Sequence, residues 1–172
     1  MNAWTIYESP LGPLTLCGGA QGLTALHFPG HAGRLDEDAH DPRPLAEAVG
    51  QLEQYFAGER HAFELGLDLG GTPFQRAVWE ALARIPYGST LSYTQLAAAA
   101  GRPDRVRAVG AAVGRTPVPI IVPCHRAIGA DGSLIGYGGG LHRKQALLDL
   151  EARAAAGHPV EPAWSFRQIA LM

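Results

Sequence analysis

Residues 90–114 read TLSYTQLAAAAGRPDRVRAVGAAVG, and the punctuation of this stretch sets the character of the second half of the chain. Ser92 followed by Gln95 is a capping box, in which each side chain can reach the other residue's backbone N–H at the start of a helix. Leu91 and Leu96 flank the box as a hydrophobic staple, so a short helix is expected from Tyr93 to about residue 100, stopped by Gly101. A second helix is expected from Pro103 to about Gly114, because proline suits a first helical turn and Val106, Val109 and Val113 recur on one face. Two helices joined by a turn at Gly101 have the outline of a helix-turn-helix, which purely structural helix pairs also share.

The outer side of the second helix is unusual. Arg107 lies opposite the valine stripe, among the small residues Ala108, Gly110, Ala111 and Ala112, so bulk is missing where a partner could press. A glycine inside a helix costs roughly 1 kcal/mol against alanine, so at Gly110 either tight packing or close approach of a ligand must compensate. Charge points the same way. The chain carries a formal charge of -2, but residues 1–71 hold ten acidic and three basic side chains, whereas residues 72–151 hold five acidic and nine basic. Between 101 and 126 the one acid is Asp104, against Arg102, Arg105, Arg107, Arg115 and Arg126. A polyanion could be attracted there, although a solvated basic face would look the same.

Upstream, strand-like runs at 4–7, 14–17 and 23–28 are separated by SPLGP, GGAQG and PGHAG, which are turn chemistry. A helix at 45–56 and an apolar segment at 63–69 follow, and Gly70-Gly71 reads as a linker. Beyond it Thr72, Pro73 and Gln75 cap a helix carrying Phe74, Val78, Ala81, Leu82 and Ile85, which ends at Pro86-Tyr87-Gly88. A last helix is expected over 142–153. The expected class is α+β: a small sheet-plus-helix domain at 1–70, a mostly helical, winged-helix-like domain at 71–155 with the helix-turn-helix, and a tail at 156–172. With 47% apolar and 17% charged residues, the 172-residue chain is globular in composition. It has no membrane-length apolar run and no signal-peptide pattern at its start, so the cytoplasm is the expected location.

Cys17 and Cys124 are too few for a disulfide framework. Cys124 stands out because it follows the apolar run 120–122 and precedes His125 and Arg126, two groups able to carry the positive charge that lowers a thiol pKa from about 8.5. Pro117, Pro119 and Pro123 restrict the backbone at alternate positions and favour a rigid, non-helical segment that presents the thiol at its end. Glu151 shares a helix face with Leu147 and Leu148, and a carboxylate on an apolar face needs a partner. A histidine that activates a cysteine would serve; so would Lys144, or escape to water.

These residues carry a resemblance. PCHR at 123–126, SY at 92–93, RAVG at 107–110, PVPI at 117–120 and GYGGGL at 136–141 make residues 88–151 similar to the active-site domain of the O6-alkylguanine-DNA alkyltransferases, and YESPLGPLTLCGGAQGLTALHF at 7–28 resembles that family's N-terminal domain. The resemblance implies a suicide DNA repair protein acting on double-stranded DNA that contains O6-alkylguanine, with O4-alkylthymine as a further substrate left open. Cys124 would accept the alkyl group in one in-line displacement, His125 would act through a water as base, and Glu151 would orient the histidine. Tyr93 would stand beside the flipped nucleotide, and Arg107 would enter the base stack from the minor groove. Ala108, Gly110, Ala111, Arg115 and Arg126 are read with it as DNA contacts, Tyr137, Gly138 and Gly139 as walls of the guanine pocket, and Lys144 as a neighbour of that pocket.

One position departs from the family pattern. Thr116 stands where typical members carry an asparagine that joins the cysteine network and holds a turn, and threonine tolerates a positive φ poorly. The main alternative is a non-enzymatic sensor of alkylated DNA that recruits other repair factors; related sensors lack the cysteine that is present here. A turnover hydrolase with a cysteine–histidine nucleophile is a second. Some family members bind zinc in the N-terminal domain, but Cys17, His27, His31 and His40 have no recognised ligand spacing, so no metal is expected, nor any organic cofactor. A monomer is expected. Trp164 and Phe166 in the tail point to docking on the body.

Overall fold

The computed structural model describes residues 2–160, so the expectation for Trp164 and Phe166 lies outside the described residues. The chain opens with a three-stranded antiparallel sheet, β1 (Ala3–Ser9), β2 (Gly12–Gly19) and β3 (Gly22–His27), in the order β1-β2-β3. Both hairpins turn at glycines with positive φ, Gly12 and Gly22, a conformation open to glycine without a Cβ penalty. Helix α1 (Ala46–Phe56) covers one face, and Leu14, Leu16, Leu26, Leu52 and Tyr55 make a core from which water is excluded.

The second half is helical. Helix α2 (Pro73–Ala83) starts at the Thr72–Gln75 capping box, and α3 (Tyr93–Ala99) at the Ser92–Gln95 box, both with reciprocal hydrogen bonds of 2.9–3.1 Å. These starts match the sequence expectation because the interactions that specify them span only three residues. Helix α4 (Val106–Gly114) begins three residues later than expected. Pro103 and Asp104 instead occupy a turn closed by the Arg105 N–H on the Arg102 carbonyl at 3.0 Å. The fixed φ of proline fits the second position of a turn as well as a first helical turn. Val78, Leu82, Leu96, Val109 and Val113 form the core of this half, and the Trp79 indole N–H donates to the Ala112 carbonyl at 2.9 Å.

One helix joins the halves. The last helix, α5 (Leu141–Ala155), sends Leu147 and Leu150 into the core beneath the N-terminal sheet, alongside Val118 and Ile120. Within the second half, β4 (Leu91–Ser92) pairs in parallel with β5 (Ala127–Ile128) over two residues, too short to leave a periodic signal in the sequence. It ties the chain just after Cys124 to the start of α3. No helix among the described residues is long and apolar enough to cross a membrane.

Candidate active site

Cys124, His125 and Arg126 form one buried 3₁₀ turn rather than the end of an extended segment. At three residues per turn, consecutive side chains leave the backbone in three directions. Cys124 reaches the floor of a cavity of about 380 Å³, while His125 and Arg126 turn inward to α5. The approach to the turn is strained: Ile120 is the one non-glycine residue with positive φ (73°) among the described residues. Its side chain is almost wholly enclosed, and that burial holds a conformation β-branched residues otherwise avoid. Val122 N–H then closes on the Val118 carbonyl at 3.0 Å, which fixes where Cys124 begins.

Glu151 is the hub. Its carboxylate, 1% exposed, accepts from His125 Nε2 at 2.7 Å, from Arg126 Nε and Nη2 at 2.8 and 2.9 Å, and from the Tyr55 hydroxyl at 2.7 Å. Burial pushes its pKa up, but the hydrogen bonds from His125 and Arg126 and the charge of Arg126 outweigh that and hold it at about 2. An ionised carboxylate only accepts, so His125 carries its proton on Nε2. Burial lowers the histidine pKa, and the imidazole is neutral. Its other nitrogen, Nδ1, is buried with no protein partner and is therefore a free lone pair beside the thiol-bearing turn.

The thiol is neutral at rest. Burial raises the Cys124 pKa to about 11, against the opposing pull of the Thr116 and Tyr137 hydroxyls and the Lys144 charge. The sequence expectation that His125 and Arg126 would supply stabilising positive charge is corrected here: His125 is uncharged and Arg126 is consumed by Glu151. Thr116 keeps an ordinary backbone and donates to the Val113 carbonyl at 2.7 Å, so the feared positive φ does not arise at that position.

The cavity lies between the C-terminal part of α4, with Gly110, Val113 and Gly114, and the loop 136–139, with Tyr93 and Cys124 inside and Phe28 and His31 of the first half at its lip. Residues 73–153 match the family model for the DNA-binding domain of 6-O-methylguanine DNA methyltransferase, and residues 2–69 match that for its ribonuclease-like domain. The chain belongs to the 6-O-methylguanine DNA methyltransferase family. Among its relatives, the methylated-DNA–protein-cysteine methyltransferase of Mycobacterium leprae is 53% identical over 150 residues, covering 84% of this chain and 88% of the relative. The constitutive enzyme of that name from Bacillus subtilis is 46% identical over 154 residues, covering 86% and 93%. The crystal structure of Mycobacterium tuberculosis OGT in complex with DNA superposes with a TM-score of 0.84 at 49% identity, covering 91% of this chain and 95% of that one.

Within this methyltransferase fold the expected DNA-facing residues divide. Arg107 and Ala111 are exposed and Ala108 and Gly110 half-exposed on α4, Arg115 is exposed just past its end, and Ala112, read from the sequence as part of the outer side, is buried in the helical core. A Cβ added at Gly110 would meet only Tyr93 Cδ1, at 3.9 Å, so no neighbouring helix demands the glycine. Arg126 does not belong with them. It is 6% exposed, bonded to Glu151 and to the Ile85 carbonyl at 2.7 Å, with the Tyr87 ring 5.6 Å from its guanidinium. Lys144 is not paired with Glu151; its ammonium donates to the Ala127, Ile135 and Gly136 carbonyls at 2.6, 3.2 and 3.4 Å and so pins the base of the pocket loop. Tyr93 donates to the Ile135 carbonyl at 3.2 Å. Tyr137 faces the thiol, its hydroxyl buried and lacking a hydrogen bond of ordinary geometry. Gly138 is open to solvent and Gly139 is buried against Phe28.

Sequence reasoning missed Tyr55. It stands on α1, 96 positions from the glutamate it serves, and nothing in its surroundings along the chain separates it from an ordinary core tyrosine. The signal that could have found it was the buried carboxylate itself, which needed more donors than one histidine supplies.

Proposed function

We propose that Cys124 takes the alkyl group from O6-alkylguanine in duplex DNA, once per protein molecule, after the damaged nucleotide has been turned out of the helix. The observation that carries this reading is a cysteine on the floor of a cavity, with a neutral histidine and an ionised glutamate aligned behind it and the exposed, small-residue face of α4 at its mouth. Arg107 fills the space the base leaves, and Gly110 lets the backbone of α4 approach the minor groove. The flipped guanine lies between Tyr93 and the loop at Tyr137, Gly138 and Gly139. Arg115 at the cavity lip holds backbone phosphate.

The step balances within one chain and one base. His125 Nδ1 accepts the thiol proton through a bridging water, while Glu151 stabilises the imidazolium that forms. Sulfur then forms a bond to the alkyl carbon as the carbon–O6 bond breaks, and the electron pair of that bond passes to the guanine. The guanine takes up a proton at its ring nitrogen, so the net movement of hydrogen is from sulfur to base. The thioether is a poor leaving group, which ends the reaction after one event. Every group used belongs to one copy, in keeping with a monomer.

Intact-mass measurement before and after exposure to excess duplex carrying O6-methylguanine tests the reading. The expected result is one added methyl group, located on Cys124 and absent in Cys124→Ala. Product exceeding one equivalent per protein would refute it.

A further inference from the structure

We propose that Phe28, at the end of the N-terminal sheet, sets the width of the cavity and thereby selects small O6 substituents over bulky ones. This rests on the alkyl-transfer reading above. The cavity has two walls. One is α4, held rigidly in the helical core, and the other is the loop 136–139, whose position decides how much room a substituent has beside Cys124.

The loop is held at both ends by different halves of the protein. Its beginning is anchored from within the C-terminal half, by Lys144 and Tyr93 on the carbonyls of Ile135 and Gly136. Its end rests on Phe28. A Cβ at Gly139 would lie 2.8–2.9 Å from three carbons of the Phe28 ring, so the backbone there is already in contact with the aromatic edge. The same ring meets Tyr137 edge-on, with centroids 5.6 Å apart. Arg143 covers it with its guanidinium 5.8 Å from the centroid, while donating to the Gly139 carbonyl at 2.9 Å and to the Leu11 carbonyl at 3.0 Å.

Between these anchors the loop meets little else: a Cβ at Gly136 or Gly138 would find nothing within 4 Å. Phe28 itself cannot retreat, because it is 4% exposed in the core and Leu26, two residues earlier, donates its N–H to the Pro117 carbonyl at 2.9 Å. Pro117 lines the opposite lip. The end of β3 is thus a spacer between the two lips, and the ring is its loop-side face. Shortening the side chain lets the loop lean away from Cys124 and opens the cavity.

The test measures second-order transfer rates from duplexes carrying O6-methylguanine or O6-benzylguanine to wild type, Phe28→Ala and the milder Phe28→Leu, each first shown to melt cooperatively. A size change of this kind in an apolar pocket is worth about tenfold or more in discrimination. The benzyl-to-methyl rate ratio is expected to rise by about tenfold in Phe28→Ala and by less in Phe28→Leu. Gly139→Ala, which drives a Cβ into the ring, should slow methyl transfer, and Phe28→Leu in the same chain should restore it. A ratio within about twofold of wild type in both Phe28 variants, or no rescue in the double variant, overturns the proposal. Wild-type protein that takes up neither group would instead refute the transfer reading on which it rests.

Discussion

Replacing Arg126 by methionine separates two readings of the PCHR motif. A residue that contacts DNA would be dispensable for folding, whereas the structure gives this guanidinium two bonds to Glu151 and one to the Ile85 carbonyl, with almost no exposure. Methionine preserves length and apolar packing but leaves the carboxylate with His125 and Tyr55 alone and the Ile85 carbonyl without this donor. Removing one partner of a buried ion pair costs about 3–5 kcal/mol. For a chain of this size about 2–4 °C of Tm follows each kcal/mol, so the melting temperature should fall by roughly 6–20 °C. Measured at a temperature where the variant is folded, duplex affinity should stay near that of wild type and the slope of log affinity against log salt should not move. A lost phosphate contact would shift that slope by about 0.9. An unchanged Tm together with a shallower salt slope would refute the reasoning and return Arg126 to the DNA surface.

With the thiol pKa near 11, a protein deprived of its base should transfer about tenfold faster for each pH unit between 7 and 10, as the thiolate fraction grows; His125→Asn should behave so and wild type should be much flatter, and equal steepness in both would remove His125 from the proton path. Acid unfolding should follow the hub. The folded pKa of Glu151 is depressed to about 2, so its contribution to stability is present above the unfolded value of 4.5 and lost as pH falls toward 2. His125, whose folded pKa is also lowered, adds a decline that begins as the unfolded imidazole protonates near 6.5. Denaturant titrations of Glu151→Gln across pH 2–7 should show a weaker dependence than wild type, and an identical one would contradict the assignment. Gly110→Ala should stabilise α4 by roughly 1 kcal/mol while slowing transfer from duplex DNA, since the added methyl points toward Tyr93 and the cavity; a stabilised variant with wild-type transfer would show that nothing approaches that face.

The structure treats the residues of the PCHR motif unequally. Cys124 lines the cavity while His125 turns away from it onto Glu151, and their electrostatics invert the simple reading of a thiol flanked by cations. The site stores a neutral thiol and a neutral histidine, and spends its one strong ion pair on orienting the histidine rather than ionising the sulfur.

Features decided within a few residues were legible along the chain. The Thr72 and Ser92 capping boxes, the stop at Gly101 and the valine face of α4 depend on backbone preferences and side chains that reach only a turn away. Even there Pro103 admitted two local solutions, and the turn won. What the chain could not disclose was who meets whom across long separations. That Glu151 binds Arg126 as well as His125, that Tyr55 of the other half joins them, that Lys144 holds a loop, and that Phe28 props Gly139 are matters of packing, because many distant partners could satisfy the same polar or apolar group and only closure of the core selects among them.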